Sequence, residues 1–229
     1  MLKFKGKKMT QKTVLCYGDS NTWGYVPNAD YSLPIARYSR SERWPGIIQA
    51  LLGNDYYVVE EGLNSRTTNV DYAPPPNRNG KTYLAPCLYS HAPIDLIILA
   101  LGGNDTKIYF DRTPEQIKNG LAELVDIIQS SNYGALLQSA PKILITTPAI
   151  PLPFIENYID ENGIQFLKGA VSKIESLVNL YADLAAKKGC YYLNLSNIKP
   201  SEIDGVHYDK DAHHKCAEMI SNKIIEIFE

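Results

Sequence analysis

Val14-Leu15-Cys16-Tyr17-Gly18-Asp19-Ser20-Asn21-Thr22-Trp23-Gly24 is the stretch from which the rest of the chain can be read. An apolar strand over Thr13–Tyr17 stops at Gly18, and a serine follows two residues later, before the next helix begins. A hydroxyl is therefore placed at the carboxyl end of the first strand, where open α/β sheets form their ligand sites. Serine by itself is a poor nucleophile. It needs a base, a carboxylate that orients the base, and donors for the developing oxyanion.

Outward from this strand, apolar runs alternate with helical patterns. Strands are expected at Tyr56–Glu60, Asp95–Leu101, Lys142–Thr147 and Cys190–Leu195, the third a continuous apolar run suited to burial on both faces. Helices are expected over Ser41–Leu52, ending at Gly53, and from Thr113-Pro114-Glu115-Gln116 onward. In the latter, threonine caps, proline takes the first helical position and glutamine the capping-box position. Two more run from Phe166 to Lys188 and from Asp209 toward the end. The alternation predicts an α/β fold: a three-layer α/β/α sandwich on a five-stranded, mostly parallel sheet. Thr67–Pro93 and Pro148–Gly163 fall outside the repeat and read as long loops beyond strand ends, able to wall a pocket or to contact another copy of the chain.

Composition bounds the function. The 229 residues, 45% hydrophobic and 21% charged with a net charge of −2, suit one soluble domain and carry no electrostatic footprint for nucleic acid. Lys3, Lys5, Lys7, Lys8 and Lys12 precede the first strand without aromatic interleaving, so residues 1–12 read as a solvated, flexible tail and 13–229 as the domain. No apolar run approaches a membrane span, the longest lying around Leu96–Leu101, and the amino terminus does not resemble a signal peptide. Cys16, Cys87, Cys190 and Cys216 show no paired spacing, which favours buried thiols over disulfides or metal ligands and fits a reducing, cytoplasmic setting.

Three further blocks follow strand ends. In Asp204-Gly205-Val206-His207, a carboxylate three residues before a histidine can accept the imidazole Nδ1 proton, leaving Nε2 free to take a proton from serine. Such a pair alone is a weak signal. In Leu101-Gly102-Gly103-Asn104-Asp105, glycines permit a sharp turn and Asn104 offers an uncharged donor for an oxyanion; alternatively, Asn104 and Asp105 bond their own backbone in a turn. Gly62, in Glu61-Gly62-Leu63-Asn64-Ser65-Arg66, either presents a backbone N–H to the same pocket or is only a turn glycine. His91, His213 and His214 have no comparable partner; His213 and His214 read as solvated or structural, and His91, before Ala92-Pro93 in a loop, has no readable role.

Taken together, Gly18-Asp19-Ser20-Asn21, Gly62, Gly102-x-Asn104-Asp105 and Asp204-x-x-His207 resemble, in order, the four blocks of the SGNH (GDSL-like) hydrolase family. Thr22 stands where an α/β-hydrolase elbow would carry its second glycine. Tyr17–Gly24, Glu61–Asn69 and Leu101–Lys107 are further similar to the arylesterase/acyltransferase branch, which includes perhydrolases. The resemblance implies a flavodoxin-like SGNH hydrolase fold with Ser20 as nucleophile, His207 as general base and acid, and Asp204 as its orienting partner. It also implies an oxyanion hole from the N–H groups of Ser20 and Gly62 and the Asn104 side chain. Asn21 and Asn64 depart from the apolar and the small residue of that branch, and with Trp23, Tyr25 and Phe154 they are candidates to line the substrate pocket.

The expected function is a serine esterase acting on small, short-acyl esters, with acyl transfer to another alcohol as a possible second outcome. It would use no cofactor and no metal, and would have a small-molecule ester as its partner, with neither nucleic acid nor membrane. A carbohydrate deacetylase, lysophospholipase or thioesterase is the alternative within the family, and a catalytically silent binding module the alternative outside enzymes. A nucleotide- or phosphate-binding protein is weakened by the absence of Gly-x-Gly-x-x-Gly and of a P-loop.

Overall fold

A computed structural model describes residues 11–29, 34–73 and 75–229. The lysine run before Thr10 lies outside the described residues. Lys12, expected in the tail, is the first residue of strand β1 and pairs in register with Tyr56. The strands are β1 (Lys12–Gly18), β2 (Tyr56–Gly62), β3 (Leu96–Ala100), β4 (Lys142–Thr146) and β5 (Tyr191–Leu193). They form one sheet in the order β2-β1-β3-β4-β5, and every pairing is parallel. Cys190 stands just before β5 instead of within it.

Parallel strands buried on both faces need helices on both sides. The helices among the described residues are α1 (Ser20–Trp23), α2 (Trp44–Leu52), α3 (Gly80–His91), α4 (Pro114–Gln129), α5 (Ala170–Lys188) and α6 (Lys210–Phe228). The period-two alternation of a strand sorts the core into two halves. Leu15 and Tyr17 of β1, with Ile97, Leu99, Ile143 and Ile145, pack under α3, α4 and α5. Val14 and Cys16, with Leu96, Ile98 and Leu144, pack under α2 and α6. The result is the expected α/β/α sandwich.

Local differences have local causes. Thr67–Pro93, expected as a loop, contains α3. Asn79-Gly80 is its amino-terminal cap, with the Asn79 side chain accepting from the Lys81 N–H at 3.0 Å. Pro86 inside the helix and a weak apolar stripe conceal it in the sequence. The helix expected from Phe166 begins at Ala170, because Gly169 holds a left-handed φ of 77° just before it. Likewise α2 begins at Trp44, since Pro45 suits only the first turn. The capping box of α4 forms as read: Thr113 and Gln116 exchange side-chain and backbone bonds. All four cysteines are unpaired, three buried and Cys190 partly so.

Candidate active site

The strand order reverses at β1, whose neighbours β2 and β3 both come later in the chain, and the crevice beyond such a point is where ligands bind in open α/β sheets. Ser20 sits there as the first residue of α1, not ahead of the helix as its sequence suggests. Asp19 is the cap, its Oδ1 accepting from the Asn21 N–H at 3.0 Å. The Ser20 N–H thus occupies a first-turn position, where helices leave donors without intrahelical acceptors.

The loop between β5 and α6 brings the histidine. His207 Nε2 lies 3.0 Å from Ser20 Oγ, and its Nδ1 lies 2.7 Å from Asp204 Oδ2. Asp204 is buried, and its Oδ1 also accepts the N–H groups of Val206 (3.0 Å) and His207 (2.9 Å). Burial pushes the Asp204 carboxyl up, but the bonds and charge of His207 outweigh it, so the group is held below its ordinary range. It remains a carboxylate, able to hold the imidazole in one tautomer. The Tyr25 ring stacks on His207 with centroids 4.2 Å apart, fixing the plane of the imidazole.

Asn21 lines the crevice beside Ser20 and also braces it. Its Oδ1 accepts from the Tyr208 N–H at 2.9 Å and its Nδ2 donates to the Val206 carbonyl at 3.4 Å. One side chain therefore holds the backbone on both sides of His207, tying the serine helix to the histidine loop.

The third block reaches the same place. Gly102 has a φ of 114°, and a Cβ there would lie 2.2 Å from the Tyr181 hydroxyl, so the turn after β3 requires glycine. Asn104 Nδ2 donates to the Arg66 carbonyl at 3.1 Å, which leaves its second proton free for another acceptor. Asp105 points away, into a buried network. It accepts from Thr68 N–H at 3.0 Å, Thr68 Oγ1 at 2.6 Å and Arg112 Nη1 at 2.6 Å. Both side chains bond across loops, to Arg66 and to Thr68 and Arg112, and Asp105 also bonds its own backbone.

These residues surround a cavity of about 340 Å³ lined by Ser20, Asn21, Tyr25, Asn64, Asn104 and His207. Pro148, Ala149, Pro151 and Leu195 supply apolar walls. Trp23 and Phe154 are not among the lining residues. The Trp23 ring lies under Arg37, and Phe154 packs over Gly205 with half its surface exposed. Gly62 ends β2 opposite Gly18, and a Cβ there would meet the Trp23 backbone nitrogen at 2.2 Å, so α1 can approach β2 only past a glycine. Asn64 Oδ1 is buried at the cavity without a hydrogen-bond partner.

Several residues at or near the site are given no role by the sequence. Lys107 lines the cavity, its ammonium pushed down to about 8 by burial against the opposing pull of Asp19 and Asp105. Burial pushes the Asp19 carboxyl up to about 6, opposed by the Asn21 N–H and by His207. His213 is buried in α6, its Nδ1 accepting from the Trp44 N–H at 3.3 Å. Single lysines and capping aspartates in loops are too common to stand out in a sequence.

The GDSL-like Lipase/Acylhydrolase family model matches residues 16–215. The chain belongs to this family. An aryl esterase of M. smegmatis has a similar structure (TM-score 0.84, 32% identity, covering 94% of this chain and 99% of that one). So does Est24, a carbohydrate acetylesterase from Sinorhizobium meliloti (TM-score 0.84, 35% identity, 94% and 99% covered). A lipase/acylhydrolase from Enterococcus faecalis, at 16% identity and TM-score 0.63 over 93% and 95% of the two chains, shares the fold. No curated protein sequence matches this chain. No helix among the described residues is long and apolar enough to cross a membrane.

Proposed function

We propose that this family member is a serine esterase that hydrolyses small, short-acyl carboxylic esters through an acyl-serine intermediate. The observation that carries the reading is the hydrogen-bonded series Ser20–His207–Asp204, opening on the cavity that also holds Asn104. Ser20 Oγ attacks the ester carbonyl while His207 Nε2 takes its proton and Asp204 stabilises the imidazolium. The Ser20 and Gly62 N–H groups and Asn104 Nδ2 donate to the oxyanion. His207 then returns the proton to the leaving alcohol. Water attacks the acyl-enzyme with His207 again as base, and acid and free serine result. A second alcohol in place of water gives acyl transfer.

The cavity supports a small substrate, since about 340 Å³ lies at the low end of the roughly 300–1,000 Å³ typical of ligand pockets. A second reading, a carbohydrate deacetylase, is favoured by an open groove that meets the cavity at Lys107 and Phe166. Tyr72, Tyr109 and Tyr158 line it, and such rings suit the apolar faces of a sugar leaving group. The unpaired thiols support a reducing, cytoplasmic compartment. Exposed Phe154 and Ile159 support contact between copies of the chain, which light scattering checks, a strict monomer removing it.

The deciding experiment is hydrolysis of p-nitrophenyl esters of increasing acyl length, with acetylated sugars in parallel and fluorophosphonate labelling throughout. We expect labelling of wild type only, none of Ser20→Ala, and the fastest turnover on acetyl and other short chains. Equal labelling of Ser20→Ala removes the nucleophile, a maximum at long chains removes the short-acyl reading, and inactivity on all esters leaves a binding module. A preference for acetylated sugars selects the second reading.

A further inference from the structure

On the α3 side of the sheet, away from the cavity, three metal-binding side chains converge. Glu61 stands near the end of β2, and Cys87 and His91 lie four residues apart on α3, so both face the same way. One ligand atom from each lies within 4.8 Å of the other two, and His91 Nε2 is 2.8 Å from Glu61 Oε1. It is the one such trio of His, Cys, Asp or Glu ligand atoms found among the described residues. From sequence alone the cysteines gave no metal spacing. The four-residue step from Cys87 to His91 gains meaning only once α3 is known to be a helix.

We propose that Glu61, Cys87 and His91 bind a divalent transition-metal ion of the zinc type, with water in the fourth position. The donor set is one thiolate, one imidazole and one carboxylate, all of which zinc accepts, and three protein ligands plus water is a stable arrangement for it. Donors about 2.0–2.3 Å from a common ion stand roughly 3.5 Å apart, so from separations of up to 4.8 Å the trio must draw in by about 1.3 Å at most and the Glu61–His91 contact must open slightly. Both motions are side-chain rotations. The thiol is fully buried, whereas His91 and Glu61 keep side-chain exposures of 29% and 18%, so an ion reaches the sulfur past them from solvent. Arg66 is the opposing charge nearby, but it is engaged elsewhere, donating to the Gly18 and Glu61 carbonyls and stacking on Tyr17. Tyr83, whose hydroxyl lies 3.4 Å from Glu61 Oε1, covers the outer side.

On binding, the Cys87 S–H bond breaks, its proton leaves to solvent, and the sulfur lone pair forms the bond to the ion. No electron is transferred. The proton shared between His91 Nε2 and Glu61 Oε1 is displaced, to Nδ1 or to solvent, and the imidazole and the carboxylate then donate lone pairs to the ion. Affinity therefore rises with pH, by about tenfold per unit for each proton released. The ion would fasten α3 to the end of β2, one residue before Gly62.

The test titrates Zn²⁺ alone into the full chain, with Co²⁺ as spectroscopic probe. We expect one ion per chain, a melting temperature that rises with Zn²⁺, and a thiolate-to-cobalt charge-transfer band in the near ultraviolet. Cys87→Ala should abolish the band, and both Cys87→Ala and His91→Gln should weaken binding at least about a hundredfold. His91 is partly exposed and glutamine can still bond Glu61, so that variant keeps the test valid should Cys87→Ala fail to fold. Binding must persist in His207→Ala, which excludes coordination at the serine site. Absence of stoichiometric binding, a missing charge-transfer band, or undiminished affinity in His91→Gln overturns the site.

Discussion

Asp204 and Asp105 are both buried aspartates in loops beyond the carboxyl ends of strands, and they have opposite surroundings. Asp204 faces a histidine whose other nitrogen meets a serine at a cavity. Asp105 faces Arg112 and the Thr68 backbone, a closed knot with no outlet. At Asp204 hydrogen bonds outweigh burial and hold the carboxyl low, whereas at Asp105 burial prevails over Thr68 and Arg112 and raises it. Burial alone thus does not tell the two carboxylates apart. What does is that Asp204 has a partner able to pass a proton onward.

Replacing each one tests the contrast. Asp204→Asn should lower kcat by about 10⁴, because an amide facing Nδ1 favours the wrong tautomer of His207. Ester turnover per folded molecule measures this, and a loss below tenfold would detach Asp204 from the chemistry. Asp105→Ala should act on the fold instead. It leaves the Arg112 guanidinium buried without its carboxylate and the Thr68 N–H without an acceptor, a loss of about 3–5 kcal/mol. The shift in the urea midpoint reads it, and kcat per folded molecule should fall far less than in Asp204→Asn.

Asn104 adjoins Asp105 in sequence, but in the proposed mechanism it acts with Asp204. Asn104→Ala removes one proposed oxyanion donor and should cost about 10²–10³ in kcat. Stability should change only by about 1 kcal/mol, the usual worth of one hydrogen bond such as that to the Arg66 carbonyl. A kcat near wild type would place the oxyanion elsewhere.

The sequence made the strands, their alternation with helices and the Ser20, Asn104, Asp204 and His207 blocks readable, because each is a short local pattern placed at a strand end. α3 was not readable. Its cap looks like an Asn-Gly turn, and Pro86 interrupts its apolar stripe. With that helix hidden, His91 seemed to lack a partner, although Glu61 stands 2.8 Å away. Asn21 shows the other limit. Its place beside Ser20 suggested a pocket residue, and it does line the cavity, but its amide also holds the backbone on either side of His207, a contact across 185 and more residues that no local pattern encodes. Trp23 and Phe154 failed for the same reason: an aromatic near a strand end is known only as near, and packing decides which way it faces.

A pH dependence sharpens the comparison between two histidines of the last region, His207 and His213. His207 lies between a carboxylate and a hydroxyl, whereas His213, six residues on, has the Tyr38 and Tyr208 rings set edgewise to it and Arg43 as a nearby charge. Burial first, and then the charges of His207 and Arg43, push His213 down to about 3, against about 6.5 in an unfolded chain. Between these values the unfolded chain binds a proton that the folded chain refuses, so the folded state loses stability as pH falls from about 6.5 toward about 3. The slope from this one group is at most about 1.4 kcal/mol per pH unit. His213→Gln keeps an acceptor for the Trp44 N–H but has nothing to protonate. Its unfolding free energy should therefore fall less steeply with acid than that of wild type, and the two curves should approach each other toward pH 4. Carboxylates steepen both curves alike, so the difference isolates the imidazole. Parallel curves in urea titrations at pH 7, 6, 5 and 4 would mean that His213 takes up its proton in the folded state as readily as in the unfolded one.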